Sequence, residues 1–320
     1  RRVHLDCDGL YSRGDPVFVA ALMIPRTRSL LLLHGVVVIF GFTGILGKLI
    51  SIEAEPLVFW RVTLGGLTTA LYLLLRRKWV AWDLSSALKA GGIGWIVAAH
   101  WVTFFASIKA SSVGLALTML ATAPLFVGLI EPVIYKRKLA WRELAVGSLV
   151  FVGISLVFQA QQDQTLGILL GLSSSLLAAV FSTLNGVMVR RHEPINLSAV
   201  ELLSASLGMG AWLAIQQQFD ASLFTLSTTD WLWIGALAVV ATSFAFMVSI
   251  QVLRDLTPFE SAMAINLEPI YAIVLAYVLF DERFSPGFYA GAALVIGAVF
   301  VDTVLRAKGP KTTPTPPDHP

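Results

Sequence analysis

Asn266, Glu268 and Pro269 stand in the middle of an apolar run, "INLEPIYAIVLAY", that with its flanks is long enough to cross a bilayer. A charged residue at the centre of a spanning helix costs roughly 2.5–3.5 kcal/mol, so Glu268 must face protein or water rather than acyl chains. Pro269 has no N–H, and its ring crowds the preceding turn. That leaves carbonyls near residue 265 for a polar neighbour or water to satisfy. Asn266 and Glu268 are two residues apart, about 200° around a regular helix, so they reach one cavity only if Pro269 distorts it. Two readings are open: a break that helps to build a solute chamber, or a proline kink whose Glu bonds a neighbouring helix.

A second constellation recurs at helical spacing. His100, Thr103 and Ser107 form one polar stripe on an otherwise apolar run, beside Trp101, Phe104 and Phe105. The stripe suits substrate contact or proton handling, because an imidazole is the side chain most easily moved across neutral pH; a satisfied interhelical donor is the plainer reading. The aromatic residues read first as packing. Arg61, about one and a half turns into its run, could hold a substrate carboxylate with its planar fork, snorkel outward, or pair with Glu53 or Glu55. Ser182, Asn185, Thr122 and Ser243 extend the candidate lining, with Pro124 and Pro269 as pivots or gates. Glu201 and Glu131 read as helix-contact residues, and Lys48 as a snorkelling lysine. No HExxH, DDxxD-like, GxSxG or Walker A pattern occurs, so no catalytic cluster, resident metal, cofactor or ATP-hydrolysing engine is expected.

The elements that must position these residues follow from composition. Of 320 residues 56% are hydrophobic and 13% charged, and a mean hydropathy of +0.77 is more than one soluble core can hide. The single Cys7 excludes an internal disulfide framework. With about 20 apolar residues needed per span, ten helices are expected over 29–50, 56–75, 87–108, 111–134, 141–158, 165–189, 196–216, 230–251, 259–280 and 286–306. The runs are continuous rather than alternating, which excludes a transmembrane barrel. Residues 1–28 read as a disordered N-terminal extension with a natural start at Met23, and the Pro- and Thr-rich 307–320 as a disordered tail. With the N-terminus inside, all but Lys48, Lys109, Arg283 and the intrahelical Arg61 of the 23 basic residues fall on the cytoplasmic side.

The chain also repeats itself. Sliding residues 121–157 onto 266–301 superposes Pro124 on Pro269, Phe126 on Tyr271, Val133 on Val278, Tyr135 on Phe280 and Lys138 on Arg283. After a one-residue gap Gly147 and Gly153 fall on Gly291 and Gly297. The expected fold is therefore all-α integral membrane, with five-helix repeats over 29–158 and 165–306. An odd number of helices per repeat inserts the two halves in opposite senses, an arrangement that commonly holds a binding site near the midplane. Small residues every four positions, Gly167, Gly171, Ser175, Ala179 and Thr183, mark a close packing face.

The segments "SIKASSVGLALTMLATAPLFVGLIEPVI" and "LEPIYAIVLAYVLFDERFSPGFYAGAALVIGAVFV" resemble the EamA branch of the drug/metabolite transporter superfamily, in which each half ends with a Pro-bearing helix, a Glu at its end and a Gly-rich helix. The resemblance covers 29–306. Glu282 matches the pattern; the first half carries Arg137 at the equivalent place. The resemblance implies a basket of helices around a central cavity and alternating access for small organic solutes, often amino acids leaving the cell. The expected partners are a small-molecule substrate and membrane lipid, with no nucleic acid and a homodimer open. The expected location is a bacterial inner membrane with both termini cytoplasmic. An integral-membrane lipid-modifying enzyme and a non-transporting receptor or scaffold are the rival readings.

Overall fold

The computed structural model describes residues 25–308 except 137 and 140, with the backbone alone for 25, 141–144, 299 and 302–308. The expectations for 1–24, for 309–320 and for Arg137 lie outside the described residues. Every regular element among the described residues is helical. In chain order these are α1 (Pro25–Leu49), α2 (Ala54–Leu75), α3 (Leu84–Ala110), α4 (Val113–Leu120), α5 (Ala123–Ile134), α6 (Trp141–Ala160), α7 (Thr165–Met188), α8 (Pro194–Ile215), α9 (Thr228–Ala236), a π-helical segment (Leu237–Phe244), α10 (Ala245–Gln251), α11 (Pro258–Ile265), α12 (Glu268–Phe280) and α13 (Pro286–Lys308). Eight stretches of described residues are long and apolar enough to cross a bilayer, among them 113–134, 228–254 and 258–280, each of which runs through an interruption. Two shorter apolar helices, Ala145–Ala160 and Pro286–Ala298, lie in α6 and α13. Leu75, Val133, Leu207 and Ile215 are among many large apolar side chains left exposed, as an acyl-chain environment requires.

The ends of the helices are written locally. The Asp83 side chain accepts from Ser86 N–H, Ser112 from Leu115 N–H, and Thr257 and Glu260 form a reciprocal capping box ahead of α11. Arg26 adds an ion pair to Glu260. Among the described residues four other than glycine have positive φ: Arg77, Lys136, Gln217 and Asp281. Each follows the end of a helix. At Arg77 the two crossing bonds of a left-handed cap are complete, Lys78 N–H to Leu73 O at 2.8 Å and Arg77 N–H to Leu74 O at 3.0 Å.

Three spans are interrupted in ways that matter for the site. Pro124 and Pro269 sit in the first turns of α5 and α12, so α4 stops at Leu120 and α11 at Ile265. At the first break Thr122 Oγ1 donates to Met119 O at 2.7 Å and pairs with Ser175 Oγ at 2.8 Å, and Ser175 Oγ lies 3.4 Å from Leu120 O, the carbonyl that Pro124 leaves without its helical donor. The π-helical segment turns Thr242 and Ser243 toward α2. Thr242 Oγ1 donates to Leu237 O and Ser243 Oγ to Gly65 O.

Close backbone contact sets the rest. A Cβ on Gly94 would lie 2.1 Å from Glu201 O, so α3 and α8 touch main chain to main chain. Gly153 of α6 and Gly291 of α13 face one another at comparable range. The small stripe of α7 packs on the end of α3 and on α4, with Gly167 against Ser111 and Gly171 against Met119.

Candidate functional site

A cavity of about 110 Å³ lies among α1, α2, α3, α7, α10 and the two proline breaks. At 10–15 Å³ per water position it has room for roughly eight waters, or for one small solute. Its wall is mostly apolar, with Phe40, Trp101, Phe104, Phe181 and Phe246 among the lining residues. Polar groups enter at a few points: Thr43, Arg61, His100, Ser182, Asn185, Ser249, Ser261, Asn266 and Glu268.

Arg61 is almost completely enclosed, at 1% exposure. Neither snorkelling nor a pair with Glu53 or Glu55 describes it. Its guanidinium stacks 3.8 Å above the Trp101 ring and its Nε donates to Thr242 Oγ1 at 2.7 Å. One terminal nitrogen, Nη1, has no hydrogen-bond partner. The π-helical segment is the reason the arrangement closes, because it presents Thr242 at the level of Arg61.

Glu268 opens α12 immediately after the break and is buried at 4% exposure. Asn266 caps α11 from the other side of the same break, and its Nδ2 has no partner. The interruption lets both residues line one cavity, which a regular helix would forbid. Glu268 and Arg61 act on one another electrostatically, yet among the described residues they form no ion pair within 4.0 Å. Both side chains therefore line the chamber without a direct contact between them.

His100 is held from α7. Its Nδ1 lies 2.9 Å from both the carbonyl oxygen and the hydroxyl of Ser174, and Ser174 Oγ also lies 3.0 Å from His100 O. A carbonyl only accepts, so the geometry assigns the proton to Nδ1 and leaves Nε2 as an acceptor. The ring stands 5.3 Å from Phe181.

Of the residues singled out by sequence, Glu268, Asn266, His100, Trp101, Asn185, Ser182, Arg61 and Pro269 line the chamber. Thr103, Thr122, Ser243 and Pro124 do not. Thr103 Oγ1 returns to the carbonyls of Ala99 and His100, and Thr122 and Ser243 make the contacts described above. Thr43, Ser249 and Ser261 belong to the lining and were not singled out. Ser261, Ile265 and Glu268 follow the i, i+4, i+7 spacing of a single helix face, a signal the sequence does carry. Among the described residues no group of three or more His, Cys, Asp or Glu side chains is placed to hold a metal.

A polar cluster gathers at the C-terminal end of α1, five residues beyond the lining residue Thr43. Lys48 pairs with Glu282 at 2.5 Å, and the Glu282 carboxylate also accepts from Val113 and Gly114 N–H at the start of α4. The Lys48 ammonium is tied down by this pair and lies over Phe280. Nearby, Asp230 accepts from Ser51 N–H and Oγ, and Lys109 donates to Ile50 O. Toward the other end the lining continues to Leu253 and Ser261, within a turn of the connection between α10 and α11.

The family model of the EamA-like transporter family matches the chain twice, over 27–159 and 165–303. A protein of Bacillus subtilis (strain 168), "Uncharacterized transporter YxxF", is 26% identical over 279 residues, covering 85% of this chain and 88% of its own. "Uncharacterized transporter YwfM" of the same organism is 24% identical over 287 residues, covering 84% and 91%. A Synechocystis protein, "Uncharacterized transporter sll1164", is 25% identical over 292 residues and covers 82% of each chain. One solved structure, described only as "Crystal structure of protein", shares the fold at a TM-score of 0.65 and 16% identity, over 88% of this chain and 99% of its own.

Proposed function

The chain belongs to the EamA-like transporter family, and from that premise we propose that it is a secondary transporter of small zwitterionic metabolites, amino acids foremost, exporting them across the cytoplasmic membrane by alternating access. The observation that carries this reading is the pair Arg61 and Glu268, two buried opposite charges that share one small chamber without a direct ion pair. A zwitterion offers each of them a partner. Arg61 Nη1 and Asn266 Nδ2, both unpartnered donors, suit its carboxylate, and the Glu268 carboxylate suits its ammonium. A volume of about 110 Å³ suits a solute of amino-acid size and is too small for a lipid.

Alternating access needs two comparable halves. We read α1–α6 and α7–α13 as ten spans in two inverted five-helix repeats, and several features support this. The family model matches once per half. The positive-φ residues fall into two pairs, Arg77 with Gln217 after α2 and α8, and Lys136 with Asp281 after α5 and α12. The packing follows the same rule: α2 lies on α8 and α6 on α13, while α3 against α7 is matched by α10 against α1, and α5 against α7 by α12 against α1. The proline breaks stand at equivalent places and flank the chamber. With the N-terminus inside, the Lys48–Glu282 contact closes the outer end, and the lining that reaches Leu253 and Ser261 gives an inward-facing state.

Counterflow tests the reading. Proteoliposomes preloaded with one unlabelled amino acid from a panel should transiently concentrate the labelled form, and Glu268→Gln, compared at equal amounts of folded protein, should weaken this. A receptor, a scaffold or a lipid-modifying enzyme moves no solute and would give no counterflow with any member of the panel.

A further inference from the structure

Two buried oxygens on neighbouring side chains stand without partners beside the chamber. Asn185 of α7 donates from Nδ2 to Glu201 Oε2 of α8 at 3.3 Å. The remaining oxygen of each residue, Asn185 Oδ1 and Glu201 Oε1, makes no hydrogen bond. Both side chains are shut away, at 1% and 0% exposure. An amide oxygen accepts only, and so does an ionised carboxylate, so these two atoms offer each other nothing. A neutral carboxyl carries one O–H donor, and a single proton on Oε1 converts the two orphans into a second hydrogen bond, closing a reciprocal acid–amide pair.

The surroundings favour the neutral group. α8 packs against α2, α3 and α10 as well as near α7. On α2 the Arg61 guanidinium is committed to Trp101 and Thr242, and Glu55 sits in the first turn at the far end. On α3 His100 is held by Ser174, and Lys89 and Lys109 stand near opposite ends of the helix. α7 and α10 carry no Asp, Glu, Lys, Arg or His. Among the described residues Glu201 makes no ion pair, and its side-chain hydrogen-bond partner is Asn185. A lone ionised carboxylate in such a place is expensive, and membrane proteins keep one for a purpose.

We propose that Glu201 is a proton-binding site of this protein, coupled to the solute chamber through Asn185. Asn185 is part of the chamber wall while Glu201 lies behind it. A solute donor that takes Asn185 Oδ1 displaces the Glu201 O–H from it, while the Asn185 Nδ2–H bond to Oε2 stays in place to support the carboxylate. The Glu201 O–H bond then breaks heterolytically and its proton passes to water. Solute and proton compete for one amide, and linkage makes the competition reciprocal. Under the transport reading, on which this use of the site rests, such competition is an exchange of proton for solute, and an inward proton gradient drives export.

Infrared spectroscopy of the purified protein in lipid tests the site itself. Wild type should show the carbonyl stretch of a neutral carboxylic acid at neutral pH that disappears in Glu201→Gln. Asn185→Ala, which keeps the acid and removes its partner, should move the same band to higher wavenumber, and it supplies the readout should the Gln variant fold poorly. In proteoliposomes a pH gradient should accelerate wild-type flux at least tenfold, and Glu201→Gln should lose that response. An ionised-carboxylate difference spectrum for Glu201 overturns the proposal whatever the flux does. A neutral-acid band together with a pH response that survives in Glu201→Gln overturns the coupling and leaves the transport reading standing.

Discussion

Replacing Arg61 with Lys keeps the positive charge opposite Glu268 and removes the planar fork. In the native site Nε is spent on Thr242 at 2.7 Å, the guanidinium face rests 3.8 Å from Trp101, and Nη1 has no hydrogen-bond partner. An ammonium reproduces the charge and not the combination of stacking, internal bond and outward donor. Losing one hydrogen bond to a charged group costs about 1.5–3 kcal/mol, which corresponds to a roughly 10- to 150-fold weaker Kd for a carboxylate-bearing solute. The fold should suffer little, because Glu268 keeps a counter-charge. Arg61→Leu differs in kind. It strands the Glu268 carboxylate, and removing one partner of a buried charge pair costs about 3–5 kcal/mol, with the low end expected here because the two groups are not in direct contact. Binding of a labelled amino acid and thermal unfolding, measured in parallel on wild type and both variants, separate the effects. Wild-type affinity in Arg61→Lys would show that Arg61 serves only as a counter-ion for Glu268 and would refute its role in ligand binding; equal loss of stability in the two variants would refute the counter-charge argument.

Three further outcomes follow from the geometry. Gly94→Val should lower unfolding stability by roughly 3 kcal/mol or more, since its Cβ would meet Glu201 O at 2.1 Å and α3 must leave α8; unchanged thermal unfolding would mean the two helices are not in main-chain contact. Glu282→Ala removes the acceptor for Val113 and Gly114 N–H together with the partner of Lys48, so a Thr43→Cys reporter should label faster with a reagent applied at that end; an unchanged rate would mean that the contact does not cover the chamber. Asp281→Cys, at the end of α12, should react with an impermeant maleimide on intact cells, and labelling only after lysis would reverse the proposed orientation.

Helical character, proline breaks and the polarity of the chamber are local properties and are legible in the sequence. The Asn266–Glu268–Pro269 run marks a break because proline lacks a donor, and the break is what turns both polar side chains to one cavity. Arg61 was harder to place. Its depth along α2 suggests the membrane boundary, and what holds it inward is Thr242, which sits in a π-helical segment with no distinctive composition. Thr103, Thr122 and Ser243 look like lining by spacing alone, yet each spends its hydroxyl on a backbone carbonyl or a neighbouring helix. A polar residue in a span has that local alternative available at every turn. Glu201 reads as a helix contact from its position near the start of α8; its single amide neighbour comes from α7, and only the packing of the two helices brings them together.

The most direct measurement of the central claim is equilibrium binding to the purified protein of one amino acid and its two half-molecules, the decarboxylated amine and the deaminated acid. With Arg61 and Asn266 holding the carboxylate and Glu268 the ammonium, each half-molecule should bind at least tenfold more weakly than the zwitterion, the amine losing what Arg61 supplies and the acid what Glu268 supplies. Equal affinity for all three would mean that the two buried charges do not read the solute, and the account would fail.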